Sequence, residues 1–107
     1  LEKLDLSKND IVKIPEEIGE LSNLKILILF KNEVDSLPVS IGELKKLETL
    51  DLWSNEISFI PDEIKNIPNL KLLELRGILF NEETQQHVYE LLPNTKIYFS
   101  PSCTCKQ

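Results

Sequence analysis

Leucine and isoleucine recur along this chain at a fixed step of 23 residues. Leu4, Leu27, Leu50 and Leu73 follow that step, as do Leu6, Leu29, Leu52 and Leu75. Leu24, Leu47 and Leu70 follow it with Leu1 one step earlier, and so do Ile18, Ile41 and Ile64. Two non-apolar sets keep the same spacing: Asn9, Asn32 and Asn55, then Pro15, Pro38 and Pro61. Coincident registers of this kind mark an internal repeat, in which each copy is one small structural unit stacked on the next.

The unit reads Leu-x-x-Leu-x-Leu-x-x-Asn-x-Ile-x-x-Ile-Pro-x-x-Ile-Gly-x-Leu-x-x. Apolar alternation at Leu4 and Leu6 predicts a half-buried strand of period two. Copies of that strand stack in parallel about 4.8 Å apart to make one sheet. The Asn that follows has a side chain able to satisfy backbone groups where the chain leaves the sheet, so successive Asn residues predict a ladder along the stack. Proline presets φ for the tight turn after it. Ile18 and Leu21 are three apart, which suits a short helical turn with both side chains inward.

This 23-residue unit, with its Ile-Pro-x-x-Ile-Gly-x-Leu turn, resembles the leucine-rich-repeat family over residues 1–77. Within that family it looks like the subclass found in Ras-binding scaffold proteins, plant intracellular Ras-group proteins and many bacterial surface or secreted proteins. The resemblance implies an α/β fold: a right-handed solenoid with a parallel concave sheet and short helical or 3₁₀ turns on the convex side. Units start at residues 1, 24, 47 and 70. It also implies a bacterial source, with a secreted or cell-surface location favoured over a cytoplasmic one.

Residues 78–100 depart from the repeat. Ile78 stands where the ladder Asn is expected. Asn81 can cap a helix over roughly Glu82 to Leu92, with Glu82 and Glu83 in its favourable first turn and Val88, Leu91 and Leu92 on its apolar face. Pro93-Asn94 turns the chain into a last strand, Lys96-Ile97-Tyr98-Phe99. This segment reads as a C-terminal cap, and residues 101–107 as a mobile tail. Cys103 and Cys105 in the tail are too few for a structural zinc site, even with His87. A strained disulfide and free thiols both remain open for the pair. At the other end, Leu1, Leu4 and Leu6 already belong to a full strand. A bare strand edge invites pairing. Further repeats or a cap are therefore expected ahead of Leu1, or else self-association through residues 3–6.

If the inward row is leucine, the alternate positions face outward. Position three of the unit holds Lys3, Ile26, Thr49 and Leu72. Position five holds Asp5, Ile28, Asp51 and Glu74. Position seven holds Ser7, Phe30, Trp53 and Arg76, and position eight Lys8, Lys31, Ser54 and Gly77. Ile26, Ile28, Phe30, Trp53 and Leu72 are then exposed together on adjacent strands. Such a patch is unusual for a free surface. Trp and Phe at its centre are the side chains that anchor interfaces. With Thr49, Asp51, Glu74 and Arg76 as a polar rim, these residues are the expected partner-binding surface.

Charge narrows the partner. The chain carries a net charge of −6. Nucleic acid binding needs a basic stripe, which is missing here. No stretch approaches the roughly 20 apolar residues of a membrane span. Asp51 and Glu74 should be neighbours on adjacent strands, and a close carboxylate pair can do acid–base work. An open sheet does not exclude water, however, so a charged rim is the favoured reading. His87, the only histidine, falls on the outside of the cap helix. No nucleophile–base pair, phosphate loop or cofactor motif is visible. The expected function is a non-enzymatic protein–protein interaction module with an unidentified protein partner. The alternative is a structural C-terminal capping segment of a longer solenoid whose binding surface lies upstream.

Overall fold

The computed structural model describes residues 1–101; Cys103 and Cys105 lie outside the described residues. Five parallel strands form one sheet in sequential order: β1 (Lys3–Asp5), β2 (Ile26–Ile28), β3 (Thr49–Asp51), β4 (Leu72–Leu75) and β5 (Lys96–Phe99). Leu4, Leu27, Leu50 and Leu73 stand in register across β1 to β4. The periodic leucines are thus stacked rungs of one core. Leu24, Leu27, Leu29, Leu47, Leu50, Leu52, Leu73 and Leu75 are all fully buried. Burying one such side chain contributes about 1.5–3 kcal/mol. Leu4, Leu6 and Ile11, in the first coil, are only partly buried.

Short 3₁₀ turns at Glu16–Glu20, Val39–Glu43 and Asp62–Asn66 form the opposite wall. Each starts after a proline whose φ is −71°, −71° or −65°. The Pro15, Pro38 and Pro61 carbonyls accept hydrogen bonds from the backbone N–H groups of Ile18, Ile41 and Ile64. That bond brings the isoleucine inward, and Ile41 and Ile64 are completely buried. The glycine after it has a steric reason. A Cβ on Gly19 would lie 2.8 Å from the Ser40 carbonyl oxygen, and one on Gly42 would lie 2.5 Å from that of Glu63. Neighbouring turns therefore touch backbone to backbone, which no larger residue permits.

The Asn ladder carries the sheet-to-turn corner. Asn32 Oδ1 accepts from the backbone N–H groups of Asn9 and Ile11, at 2.8 and 3.0 Å. Its amide donates to the carbonyls of Leu6 and Leu29. Asn55 repeats this with Val34 N–H and the Leu29 and Leu52 carbonyls. The rungs run from each side chain to the backbone of the preceding coil, not from one Asn to the next. One residue before each ladder position the backbone is left-handed: φ is 58° at Lys8, 57° at Lys31, 60° at Ser54 and 79° at Gly77. That conformation costs a residue with a Cβ roughly 1–2 kcal/mol. It turns the N–H sideways, so Lys8 donates to Phe30, Lys31 to Trp53 and Ser54 to Arg76.

The closing segment replaces the 3₁₀ turn by a helix, α1 (Glu82–Leu91), whose N-cap Asn81 accepts from Thr84 N–H at 2.8 Å. Phe80 takes the core position of Ile11, Val34 and Ile57 and is 1% exposed. It meets Phe99 edge to face at 5.9 Å, and Tyr89 meets the same ring at 5.3 Å. Ile78, in the ladder position, is buried and apolar. Polar duty passes to the last coil: Ser100 Oγ accepts from Gly77 N–H, and the Gln85 amide donates to the Phe80 and Ser100 carbonyls. The Ile97 rung pairs with Leu73, one residue later than the repeat would place it. The outer edge of β1 has no strand partner among the described residues.

Candidate protein-binding surface

The outward residues of the five strands form rows. One runs Lys3, Ile26, Thr49, Leu72, Lys96, and the next Asp5, Ile28, Asp51, Glu74, Tyr98. Beyond the strand ends Phe30 and Trp53 meet edge to face, with ring centroids 6.1 Å apart at 62°. Together with Asp51, Glu74 and Arg76 they line a shallow depression of ≈ 480 Å³.

The exposure expected for five large apolar side chains is corrected here. Trp53 alone is exposed, at 39%, while Ile26, Ile28, Phe30 and Leu72 are half-buried. Strands about 4.8 Å apart let each outward side chain shade its neighbours. The long cations add cover: Lys8 Nζ lies 5.9 Å from the Phe30 ring centre and Lys31 Nζ 5.3 Å from that of Trp53. Ile26, Ile28, Thr49 and Leu72 share the face but do not line the depression.

The two carboxylates in the depression have different fates. Burial pushes the Asp51 carboxyl above its usual range; the Trp53 N–H at 3.1 Å opposes this, and Glu74 and Asp5 add repulsion. Burial acts upward on Glu74 as well, but the Arg76 guanidinium and backbone N–H outweigh it and hold Glu74 below its usual value. The same side-chain hydrogen bond and the charge of Glu74 raise Arg76. Glu74 and Arg76 thus form a fixed pair, and the Arg76 guanidinium also stacks 4.8 Å from the Tyr98 ring centre. Asp51 is the strained member. Both groups are partly buried, the Glu74 side chain at 13% exposure, at the edge of an open depression.

Tyr98 and Lys96 belong to this face and were missed by spacing, because α1 delays β5 by one residue relative to the repeat. The alternation in Lys96-Ile97-Tyr98-Phe99 is the signal that would have placed Tyr98 outward. His87 sits apart on α1, with Nε2 3.0 Å from Asp62 Oδ1. Among the described residues no helix is long and apolar enough to cross a membrane.

A family model described as a leucine-rich repeat region matches residues 1–96. The chain belongs to the leucine-rich-repeat family. A solved leucine-rich-repeat protein of Leptospira interrogans is similar over 92% of this chain, at 39% identity and a TM-score of 0.91. An internalin of Listeria monocytogenes is similar over 95% of it, at 25% identity and a TM-score of 0.79. Both leucine-rich-repeat relatives are bacterial. The chain spans 25% of the first structure's length and 29% of the second's. No curated protein matches it.

Proposed function

We propose that this chain is a non-enzymatic protein-interaction module whose partner docks on the outer face of the sheet, centred on Phe30 and Trp53. Leucine-rich-repeat solenoids use extended concave surfaces of this kind for binding. The observation that carries the reading is the aromatic pair on an open sheet, beside a depression rimmed by Asp51, Glu74 and Arg76. Ile26, Ile28, Thr49 and Leu72 extend the surface along the strands. Its size is modest: five strands span only about 20–25 Å, whereas a standard interface takes about 800 Å² from each partner. The test is comparative capture with native chain and with Trp53→Ala, followed by titration of each captured protein in purified form. A partner that the two chains bind equally well removes the reading.

The second reading is a structural one, in which the chain is the capping segment of a longer solenoid that binds elsewhere. The helix-plus-strand closure and the quarter-length match to solved relatives support it. Substituting Phe30 and Trp53 in the longer protein separates the two, since only a cap leaves binding intact. The edge of β1, which has no strand partner among the described residues, supports self-association through residues 3–6 as a further mode, and a concentration-independent monomer in sedimentation removes it.

A further inference from the structure

Position eight of the unit is left-handed in every coil, and two of its four occupants are lysines. Gly77 is the residue that this backbone favours. The conformation serves the backbone hydrogen bonds of the corner in successive coils, whatever side chain stands there. What sets Lys8 and Lys31 apart is where their long side chains go. Neither Lys8 nor Lys31 forms an ion pair among the described residues. Instead each ammonium group stands over one ring of the aromatic pair.

The charge of the whole face agrees. Lys3, Lys8, Lys31, Arg76 and Lys96 outnumber Asp5, Asp51 and Glu74, a local balance of +2 in a chain of −6. The three carboxylates are already engaged: Asp5 by the Ser7 N–H and hydroxyl, Asp51 by the Trp53 N–H, and Glu74 by Arg76. Arg76 is spent on Glu74 and Tyr98. The uncommitted charge beside the two rings is therefore positive, and it comes from Lys8 and Lys31.

Resting on the reading of this face as a binding surface, we infer that the partner presents an acidic segment, with an apolar side chain against Phe30 and Trp53 and carboxylates on Lys8 and Lys31. The net charge of −6 repels such a partner at a distance. The attraction is local, acting within about 8 Å at physiological salt. The lysines accordingly confer selectivity among segments and do not speed encounter.

The test is selection of a random dodecapeptide library on the intact chain, with each enriched peptide titrated by isothermal calorimetry against the native chain and its variants. The expected peptides carry Asp or Glu on both sides of a Leu, Ile or Phe, and they lose binding when their acids are replaced by lysine. They bind the double variant Lys8→Asn, Lys31→Asn about tenfold more weakly. Asparagine tolerates the left-handed backbone better than lysine, so the thermal midpoint of that variant stays level or rises. Neutral or basic peptides that still need Trp53, or acidic peptides indifferent to the two lysines, overturn the acidic partner and leave the binding face standing. Peptides that bind Trp53→Ala as well as the native chain, or a selection with no enrichment, overturn both. A midpoint that falls together with binding makes the lysines scaffold and also overturns the inference.

Discussion

Leu50 and Asp51 are adjacent in β3, yet they obey different constraints. Leu50 is fully buried between Leu27 and Leu73, in a row that repeats the same residue in four strands. Asp51 stands between Ile28 and Glu74, in a row where no two neighbours match. The inward row must fill a space of constant depth between sheet and 3₁₀ turns, so one side chain suits every coil. The outward row meets no such wall. Its residues are set by each other and, on the proposed reading, by a docking partner. The fold and the proposed binding face are thus written at alternate positions of the same short strands.

Substitutions on the two rows should part company. Leu50→Ala is expected to cost about 2–5 kcal/mol in urea unfolding, because a stacked solenoid core relaxes poorly around a cavity. A loss below about 1 kcal/mol would make the inner row as tolerant as the outer. Asn55→Ala should cost about 1–3 kcal/mol, since it strands Val34 N–H and two carbonyls at a buried corner. The same change at Asn9, which is exposed, should cost clearly less. Trp53→Ala should change unfolding by less than about 1 kcal/mol, while partner binding falls by at least about 2 kcal/mol in calorimetric titration.

The smallest effects come from the carboxylate pair, and they carry opposite signs. The raised carboxyl of Asp51 means that its ionisation opposes folding. That penalty is absent below the ordinary carboxylate range and sets in as pH rises through the raised value. Asp51→Asn should therefore stabilise the chain near neutrality by up to about 0.5 kcal/mol. Glu74 is depressed, so its contribution is present above the ordinary range and disappears as pH falls through the lowered value. Glu74→Gln should destabilise near neutrality by a similar amount, about 0.5 kcal/mol. Thermal melts from about pH 3 to about pH 7 check both; two shifts of the same sign would mean that Arg76 does not distinguish the carboxylates.

The inner row was legible in the sequence because a constant step needs only counting. Leu4 to Leu73, the three prolines and the N-cap at Asn81 could be placed without knowing any neighbour. The direction of Phe30 and Trp53 followed from the same alternation. How far each outward side chain is covered did not follow. Ile26 and Leu72 are shaded by residues 23 positions away, and the rings by lysines whose aim depends on a left-handed turn. Tyr98 escaped because one extra residue in the closing segment breaks the count. The unequal fates of Asp51 and Glu74 depend on which of them Arg76 can reach, a matter of side-chain geometry that spacing does not record.

The glycines of the convex wall also set how such an array can lengthen. Gly19 and Gly42 each face a following 3₁₀ turn, whereas the equivalent position in the third coil is Lys65, exposed and followed by α1. A duplicated unit could be spliced ahead of Gly19 or Gly42 and find a neighbour of the right shape on both sides. Inserted after Lys65, it would meet a side chain where backbone contact is required. Duplication is therefore easier ahead of the third unit, where glycine admits a following turn, than directly after it, where Lys65 holds the equivalent position.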